Sequence, residues 1–452
     1  MSSMLTEMNR NVSGSALTLL TLLAACGGPS KQEKVEAAAT TPADTVTTPT
    51  TAVNLPEPYA SESKTKRSKV IGWPQGKMPT APAGFVVTKY ADGFKSPRNT
   101  YVLPNGDVLV AESNTIPKDP KKKIVAALDL DPSRSLRATS ANRITLLRDA
   151  DKDGKPELRE TFLTGLNQPF GMLVLDKYFY VANTNGVWRY PYQVGQTKIA
   201  GQGQKIMDLP ADGYNNHWTR NLLGGLNGSK IYVSVGSASN VAEQGMEVEK
   251  RRADVLEINP DGSGERVYAA GLRNPVGLDW APGTQTLWAA VNERDELGDE
   301  LVPDYLTSVK PGAFYGWPYA YFGQHEDPRR KGERPDLVQK TVVPEVPLGA
   351  HTASLGLAFY KGDAFPAQYR SGAFIGQHGS WNRSEFSGYK VVFVPFKDGK
   401  PSGPMQDFLT GFIANAAEKE VYGRPVGITY LPDGSLLVAD DAADTLWRVA
   451  AR

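Results

Sequence analysis

Histidine is scarce in this sequence, and three of its four histidines lie in or beside segments that recur along the chain. These are His217, His351 and His378. His217 stands within residues 215–221, just before an apolar run. A neutral imidazole can accept a proton from a hydroxyl group near neutral pH, as a general base must. An isolated histidine is more often structural, but the surrounding segments make His217 our candidate base.

A second group of side chains has the spacing of a metal loop. Asp149, Asp151 and Asp153 alternate, and Gly154 and Glu160 follow them. This fits the twelve-residue calcium loop D-x-D-x-D-G-x5-E, in which carboxylates supply the oxygen ligands and glycine makes the sharp turn. A proline replaces the customary apolar eighth residue, and an acidic hairpin without metal is the alternative. We expect a structural calcium ion here.

Several other kinds of active site are poorly supported. Residues 201–204 begin like a dinucleotide-binding fingerprint, but Ile206 stands where the third glycine belongs, and no βαβ unit surrounds it. The sequence contains no G-x-S-x-G elbow, H-E-x-x-H pair or phosphate-binding loop. A nicotinamide-dependent enzyme and a serine hydrolase are therefore both disfavoured.

The elements that must position these residues are short strands in a repeated pattern. Each copy begins with a polar or basic residue, which proline often follows. Most copies then have a glycine among apolar residues, followed by a turn and a strand that ends in small residues. The six copies start at Ser96, Gln168, Arg220, Asn274, Ser354 and Arg424. Six copies predict an all-β fold, a six-bladed β-propeller with inserted loops. A β-solenoid is the alternative, although its repeats would be shorter and more regular. Loops at one end of the central channel are the expected site.

The overall charge excludes one class of partner. The chain has 452 residues, with 50 Lys and Arg against 49 Asp and Glu, so its formal net charge is +1. A nucleic-acid-binding protein needs a basic surplus to neutralise phosphates, and we expect no nucleic-acid partner.

The first residues predict export and a lipid anchor. Residues 15–25 are apolar but too short to span a bilayer, and residues 23–26 (LAAC) are similar to the bacterial lipobox. We therefore predict a signal peptide at 1–25, lipid on Cys26, a disordered Thr/Pro/Ala-rich tether at 26–68 and the propeller at 69–452. A plain secretory signal is the alternative. Gly27 after the cysteine favours a periplasmic or cell-surface lipoprotein of the outer membrane.

Longer motifs link the repeated segments to a known family. Residues 271–278 (GLRNPVGL), Asp299-Glu300 and residues 315–318 (YGWP) follow His217 in the order seen in the soluble glucose dehydrogenases that use pyrroloquinoline quinone (PQQ). Residues 291–295 and 377–383 are closer to the sorbosone dehydrogenase branch. The resemblance runs from about Pro79 to the C-terminus.

This resemblance implies a calcium- and PQQ-dependent oxidation of an aldose or sugar aldehyde at C1. His217 would take the proton of the anomeric hydroxyl, and hydride would pass to PQQ. The implied cofactor-binding residues are Arg273, Asn274, His378, Arg383 and Arg424. For Arg273 and Arg424 an inter-blade salt bridge is the alternative role. A lysine stands near the place of His378 in the glucose dehydrogenases, so that contact is expected to differ.

The same resemblance implies a catalytic calcium ion held by backbone carbonyls near Glu293 and Arg294, where it would polarise a quinone carbonyl. Electrons would leave to an external acceptor, either a quinone or a cytochrome. Sugar contacts are expected on the inserted loops 117–142 and 319–346. Two other functions remain open: a calcium-dependent propeller lactonase and a non-catalytic binding propeller.

Overall fold

The computed structural model describes residues 54–452, which belong to one compact unit built almost entirely of β-strands. Within that range, none of the helices has the length and apolar character needed to cross a membrane. The predicted signal peptide, Cys26 and the tether as far as residue 53 lie outside the described residues.

Thirty strands follow one another along residues 54–452. The first ten are β1 (Lys69–Val70), β2 (Phe85–Ala91), β3 (Pro97–Val102), β4 (Val108–Glu112), β5 (Arg143–Arg148), β6 (Leu158–Leu163), β7 (Met172–Leu175), β8 (Tyr178–Asn183), β9 (Gly186–Pro191) and β10 (Gln204–Asp208). The next ten are β11 (Arg220–Gly224), β12 (Ile231–Val235), β13 (Asp254–Ile258), β14 (Arg266–Ala270), β15 (Pro275–Trp280), β16 (Leu287–Val291), β17 (Pro303–Val309), β18 (Ala320–Tyr321), β19 (His325–Glu326) and β20 (Val346–Ala350). The last ten are β21 (Ser354–Phe359), β22 (Gly372–Gln377), β23 (Lys390–Lys397), β24 (Lys400–Pro401), β25 (Gln406–Leu409), β26 (Ile413–Asn415), β27 (Glu420–Val421), β28 (Pro425–Tyr430), β29 (Leu436–Asp440) and β30 (Thr445–Ala451). The helices are α1 (Pro120–Ala127), α2 (Pro335–Val338) and a 3₁₀ turn, Ala367–Tyr369.

Most of these strands form six antiparallel sheets of four strands. Sheets 1 to 3 are β3–β6, β7–β10 and β11–β14, and within each sheet the strands pair in the order in which they occur in the sequence. Sheet 4 is β15, β16, β17 and β20, and sheet 5 is β21, β22, β23 and β25, with the short β24 also on β23. Sheet 6 joins β28, β29 and β30 to β2 from the other end of the described chain. The N-terminal and C-terminal parts are thereby held together.

The first strands of the six sheets form a closed ring. Each contacts the first strand of the next sheet in chain order, and β28 of sheet 6 returns to β3 of sheet 1. Second strands such as β12 (IYVSV) and β16 (LWAAV) are buried along their whole length, because neighbouring sheets cover both of their faces. This is the β-propeller architecture that the repeats predict.

The glycine of the repeated segment is explained by the close approach of these first strands. A Cβ on Gly171 would lie 2.4 Å from the backbone nitrogen of Leu222 in the next sheet. One on Gly277 would lie 2.5 Å from Cβ of Leu357. Any side chain at these positions would push two sheets apart, so the repeat keeps glycine where the ring is tightest.

Antiparallel order sorts the connections to two ends of the ring. The segments before each first strand and after each second strand lie at one end, which we call the site end. The turns between first and second strands, and between third and fourth strands, lie at the opposite end of the ring. Since β4 is a second strand, the insertion that carries α1 between β4 and β5 belongs to the site end.

A segment at the start of the described chain, residues 59–73, runs across the site end, and we call it the N-terminal strap. Its Tyr59 N donates to Leu297 O at 2.8 Å, and its Lys66 N donates to Trp381 O at 2.8 Å. Further along, Trp73 Nε1 donates to Asp440 Oδ2 at 2.8 Å. The predicted tether extends to residue 68, but residues 59–68 already pack on sheets 4 and 5, because their backbone groups find partners in loops that composition does not reveal.

Candidate functional site

The sequence-predicted residues His217, Arg273, Asn274, His378 and Arg424 all lie at the site end. The first three and Arg424 immediately or closely precede first strands, whereas His378 directly follows a second strand. Residues separated by hundreds of positions are brought together because every sheet delivers the same two segments to this end of the ring.

His217 is half-buried and held in one tautomer. Its Nδ1 lies 2.8 Å from the carbonyl oxygen of Ser237, which can only accept, so Nδ1 carries the proton. The Ser237 hydroxyl, 3.0 Å from Nδ1, itself donates to Ser239 O. Nε2 has no hydrogen-bond partner among the described residues. Burial and the nearby Arg273 guanidinium lower the pKa of His217 to about 3, so the ring is neutral with a free lone pair on Nε2.

Asn274 lies directly against His217. A Cβ on Gly236 would meet Asn274 Oδ1 at 2.2 Å and His217 Cβ at 2.6 Å, so only glycine lets both side chains approach the backbone there. The Asn274 side chain is buried, and its Oδ1 has no hydrogen-bond partner within the described chain. An unpaired buried acceptor is costly, and it indicates a site for a donor from outside the protein.

Arg273, which is 2% exposed, organises the loop after β16. Its Nη1 donates to Glu293 O at 2.6 Å and to Asn292 O at 3.3 Å. Its Nη2 contacts Asn240 Oδ1 at 3.0 Å and Asp295 Oδ2 at 3.3 Å, and its Nε donates to Asn240 O. All five N–H groups are thus engaged. Arg273 therefore fixes the carbonyls of Asn292 and Glu293, at the start of the segment predicted to hold the catalytic calcium ion.

The side chains of this loop are buried and charged. Burial raises the pKa of the Glu293 carboxyl to about 7. The Arg294 guanidinium forms a buried ion pair with Asp327 at 2.7 Å. His351 bridges Asp295 Oδ1 at 3.2 Å and Gly298 O at 2.8 Å. Burial opposes its charge, but the hydrogen bond to Asp295, the Asp295 charge and the hydrogen bond to the Gly298 carbonyl together outweigh burial and raise the pKa of His351. The Arg294 and Glu293 side chains thus serve the loop, leaving their carbonyls as the predicted calcium ligands.

A second polar group is centred on Asp441. His378 Nε2 lies 2.9 Å from Oδ1, Arg98 Nη1 lies 2.5 Å from Oδ2, and Arg424 Nε lies 3.6 Å from Oδ1. Arg424 also donates to Ser135 Oγ at 2.9 Å. The Nε atoms of Arg98 and Arg424 are buried without a hydrogen-bond partner in the described chain. Burial and the Arg424 charge lower the pKa of His378 to about 4 despite Asp441.

Trp218 joins the two groups. It follows His217 in the chain, and the Arg98 guanidinium carbon lies 5.5 Å from the centre of its ring. Its Nε1 donates to Thr115 Oγ1 at 3.0 Å, which ties it to the α1 insertion. His217 and His378 thus belong to one continuous set of side chains around the ring.

Arg383 is placed elsewhere on the rim. Its Nη1 donates to Asp299 O at 2.5 Å, and its Nη2 pairs with Glu300. The N-terminal strap holds the same loop, since Ser61 Oγ accepts from Asp299 N and Ser63 Oγ accepts from Gly298 N. Arg383 makes no hydrogen bond or ion pair with the His217 or Asp441 groups among the described residues.

The acidic loop lies at the opposite end, between β5 and β6. The structure brings Asp149, Asp151 and Asp153 together with Glu157, with ligand-type oxygens within 4.8 Å of one another. Glu160 lies instead within β6, opposite Leu146 of β5, and pairs with Lys198 at 2.9 Å. Strand pairing starts at Leu158 and carries Glu160 away from the loop, so the structure differs from the twelve-residue spacing at its last ligand.

Sequence reasoning missed Arg98, Asp441 and Ser237 as site residues. Arg98 lies inside β3, directly after Pro97, where the sixth repeated segment has Val426 after Pro425. Ser237 and Asp441 follow second strands, as His378 does. Comparing the residues that follow the second strands could have found Ser237 and Asp441, whereas no repeated position marks Arg98.

Two family models match the sequence. The model described as Glucose / Sorbosone dehydrogenase matches residues 181–381, and the model described as TrAA12-like matches residues 326–452. The first match includes His217, Arg273 and Asn274.

Individual proteins give a consistent picture. An uncharacterized protein of Borreliella burgdorferi is 32% identical over 243 residues, covering 53% of this chain and 62% of that protein. The aldose sugar dehydrogenase of Escherichia coli is 32% identical over 123 residues, covering 26% of this chain and 30% of its own length. The alignments thus span less than two thirds of either relative.

The fold has a structural counterpart. The holo form of the PQQ domain of pyranose dehydrogenase from Coprinopsis cinerea superposes with a TM-score of 0.66 at 19% identity, covering 84% of this chain and 99% of that domain. At this identity the likeness concerns the fold. Over residues 181–381 the chain resembles the glucose/sorbosone dehydrogenase family, and the described residues share the fold of the pyranose dehydrogenase domain.

Proposed function

We propose that this protein is a PQQ- and calcium-dependent dehydrogenase that oxidises an aldose or a sugar aldehyde at C1. The observation that carries the proposal is His217, a neutral histidine whose Nδ1 is fixed by Ser237 and whose Nε2 is free, directly beside the unpaired Asn274 Oδ1. A general base and a cofactor-binding acceptor thus meet at the centre of the six sheets, which we take as the six blades of one propeller.

The residues present fit PQQ, a flat ortho-quinone with three carboxylates and a pyrrole N–H. The buried Nε atoms of Arg98 and Arg424 lack partners, as expected of donors that await an anion. Two guanidiniums against the single Asp441 carboxylate leave a positive surplus, which favours an anionic ligand. Asn274 Oδ1 suits the pyrrole N–H. We assign Arg98, Arg424, His378 and Asn274 to direct cofactor binding.

Arg273 has a different part in this scheme. Its N–H groups are engaged by the protein, so it supports the cofactor by holding the Glu293 and Arg294 segment in place. We propose that the carbonyls of this segment bind the catalytic calcium ion, since a carbonyl oxygen already bonded to Arg273 retains a second lone pair. Arg383, through Asp299 and Glu300, steadies the neighbouring rim.

When bound, PQQ supplies the two-electron acceptor for hydride. The protein itself must accept the proton that leaves the C1 hydroxyl. His217 Nε2 accepts the proton of the C1 hydroxyl. Meanwhile Nδ1–H stays hydrogen-bonded to the Ser237 carbonyl oxygen, which keeps the ring oriented. Arg273 disfavours the resulting imidazolium and Asp295 favours it. The low pKa keeps His217 unprotonated before the reaction, and an external quinone or cytochrome afterwards removes the electrons.

The test is reconstitution with PQQ and calcium, followed by cofactor titration and single-turnover reduction with an aldose. His217→Gln should lower kcat by roughly 10²–10⁴-fold and leave cofactor affinity intact. Arg273→Ala should weaken cofactor retention. The matched control is His325→Gln, because His325 is an exposed histidine on β19. Normal turnover by His217→Gln would remove it as the base, and failure of the wild type to bind PQQ would favour a binding propeller.

We also propose that the mature protein is a lipoprotein held outside the cytoplasmic membrane through Cys26. The proposal rests on the lipobox-like residues 23–26, in front of the polar segment that leads to the propeller. Mass spectrometry of the native N-terminus should show a lipid-modified Cys26. An unmodified Cys26, or cleavage at another bond, would contradict it.

A further inference from the structure

The insertion between β4 and β5 exposes an unusual concentration of aliphatic side chains. Ile116, Ile124, Leu128 and Leu130 are 44%, 60%, 62% and 62% exposed. They occupy a short stretch around α1, a helix in which only Ala126 is buried. Single exposed aliphatic side chains need no explanation. Four in one short stretch indicate a surface that binds a membrane or another protein.

The insertion is anchored, so this surface has a defined direction. At its start, Lys118 Nζ donates to Gly213 O at 2.5 Å, and Thr115 accepts from Trp218. At its end, Ser135 accepts from Arg424. Contacts near both ends therefore hold the insertion at the site end, and its four aliphatic side chains stay exposed.

Three consecutive lysines flank the aliphatic side chains. Lys121, Lys122 and Lys123 are exposed, and none of them has an ion-pair partner among the described residues. Residues 116–130 contain four lysines, the fourth being Lys118, against two aspartates, Asp119 and Asp129, so the stretch carries a net charge of +2. The charge beside the aliphatic side chains is therefore positive on balance.

Lipid suits this composition better than a protein partner does. Protein interfaces favour aromatic residues and arginine and are depleted in lysine, whereas Ile116, Ile124, Leu128 and Leu130 have lysines beside them. Lysine stems can lie along an apolar surface while their ammonium groups reach phosphate. Of the four aliphatic residues, Ile124 lies on α1 and the others flank the helix. Exposed aliphatic side chains combined with lysines occur in segments that lie in a bilayer interface.

We propose that residues 116–130 form a docking surface for an anionic lipid bilayer, which would turn the site end of the ring toward the membrane. This inference does not depend on the proposed enzymatic activity. It concerns the folded unit itself and would hold whether or not Cys26 carries lipid.

A single fluorescent probe can test it in the full chain. Cys26 is the only cysteine, so a Cys26→Ser, Leu128→Cys variant can be labelled at one position with an environment-sensitive dye. Vesicles of phosphatidylglycerol and phosphatidylcholine should shift its emission to shorter wavelength, whereas pure phosphatidylcholine should bind far more weakly. Replacing Lys121, Lys122 and Lys123 by Gln should lower the partition coefficient about a hundredfold, from about fivefold per lysine.

The matched control carries the dye at Leu226, which is 59% exposed in the turn between β11 and β12 at the opposite end. Its emission should not change with either vesicle. The proposal is overturned by an unresponsive Leu128 probe, by an equal response at Leu226, or by binding that is unaffected by the lysine substitutions. Unchanged thermal unfolding of each variant confirms that the fold is intact.

Discussion

Nε2 of His378 lies 2.9 Å from Oδ1 of Asp441, a carboxylate that is 4% exposed. The same carboxylate faces Arg98 and Arg424. It therefore sets the charge balance of the rim on which we place the cofactor: without it, the buried Arg424 and the largely buried Arg98 would lose the carboxylate that both contact.

Asp441→Asn should therefore destabilise the protein. Removing one partner from a buried ion pair leaves uncompensated charge, and we expect the free energy of unfolding to fall by about 3 kcal/mol. Denaturant unfolding near neutral pH measures this loss. The matched control is Glu385→Gln in the exposed pair with Lys66, which should change stability by at most about 1 kcal/mol.

The Asp441 effect should also depend on pH. Burial opposes ionisation, but His378, Arg424 and Arg98 outweigh it and hold the pKa of Asp441 well below its ordinary 3.8. A depressed carboxyl pKa stabilises the fold above 3.8, and that contribution is lost as the pH falls through the folded-state value. The difference between wild type and Asp441→Asn should shrink below pH 3.8. A constant difference would contradict the charged pair.

His217 should remain neutral under conditions in which an ordinary histidine is charged. Its pKa is lowered from 6.5 to about 3, whereas that of His351 is raised. Histidine-selective NMR, assigned with His217→Gln, should show His217 unprotonated and His351 protonated at a pH just below 6.5. Because the folded pKa of His217 is depressed, its contribution to stability is present above 6.5 and declines as the pH falls toward 3. Protonation of His217 near 6.5 would contradict a pKa lowered by burial and by the Arg273 charge.

The N-terminal strap should contribute measurably to stability. Trp73→Phe keeps an aromatic ring against Phe412, Tyr422 and Trp447 but removes the N–H that Asp440 accepts. We expect a loss of about 1 kcal/mol in the free energy of unfolding. Trp381→Phe is the control, because the Trp381 ring is 39% exposed and its indole donates no hydrogen bond within the described chain; it should change stability by less than about 0.5 kcal/mol.

The acidic loop allows a test of whether Glu157, as the structure places it, or Glu160, as the twelve-residue motif predicts, belongs to the calcium site. If calcium binds there, Asp149→Asn combined with Asp151→Asn should lower the unfolding temperature more in calcium than in chelator, since a ligand bound only to the folded state stabilises it. Glu157→Gln should reproduce part of this loss, and Glu160→Gln, which breaks only the exposed pair with Lys198, should not. Equal losses with and without calcium would exclude a metal, and a larger effect of Glu160→Gln would favour the twelve-residue spacing.

Local sequence determined the strands, the repeats and the residues at their ends. Alternating apolar runs, glycine turns and the recurring segments from Ser96 to Arg424 predict the all-β propeller, because periodicity and turn chemistry act over a few residues. His217 and His378 could be chosen for the same reason, since each stands at a strand boundary visible in the sequence.

Tertiary structure decided which of these boundary residues meet. Arg98 and Asp441 are 343 positions apart and contact only because the ring closes through β2 and β30. Glu157 rather than Glu160 joins the acidic loop because of the strand register. The N–H groups of Arg273 are all hydrogen-bonded within the protein, to a loop whose path no local sequence pattern specifies. Ring closure, register and loop path depend on how distant strands pack, and the sequence around any one residue carries no direct record of that packing.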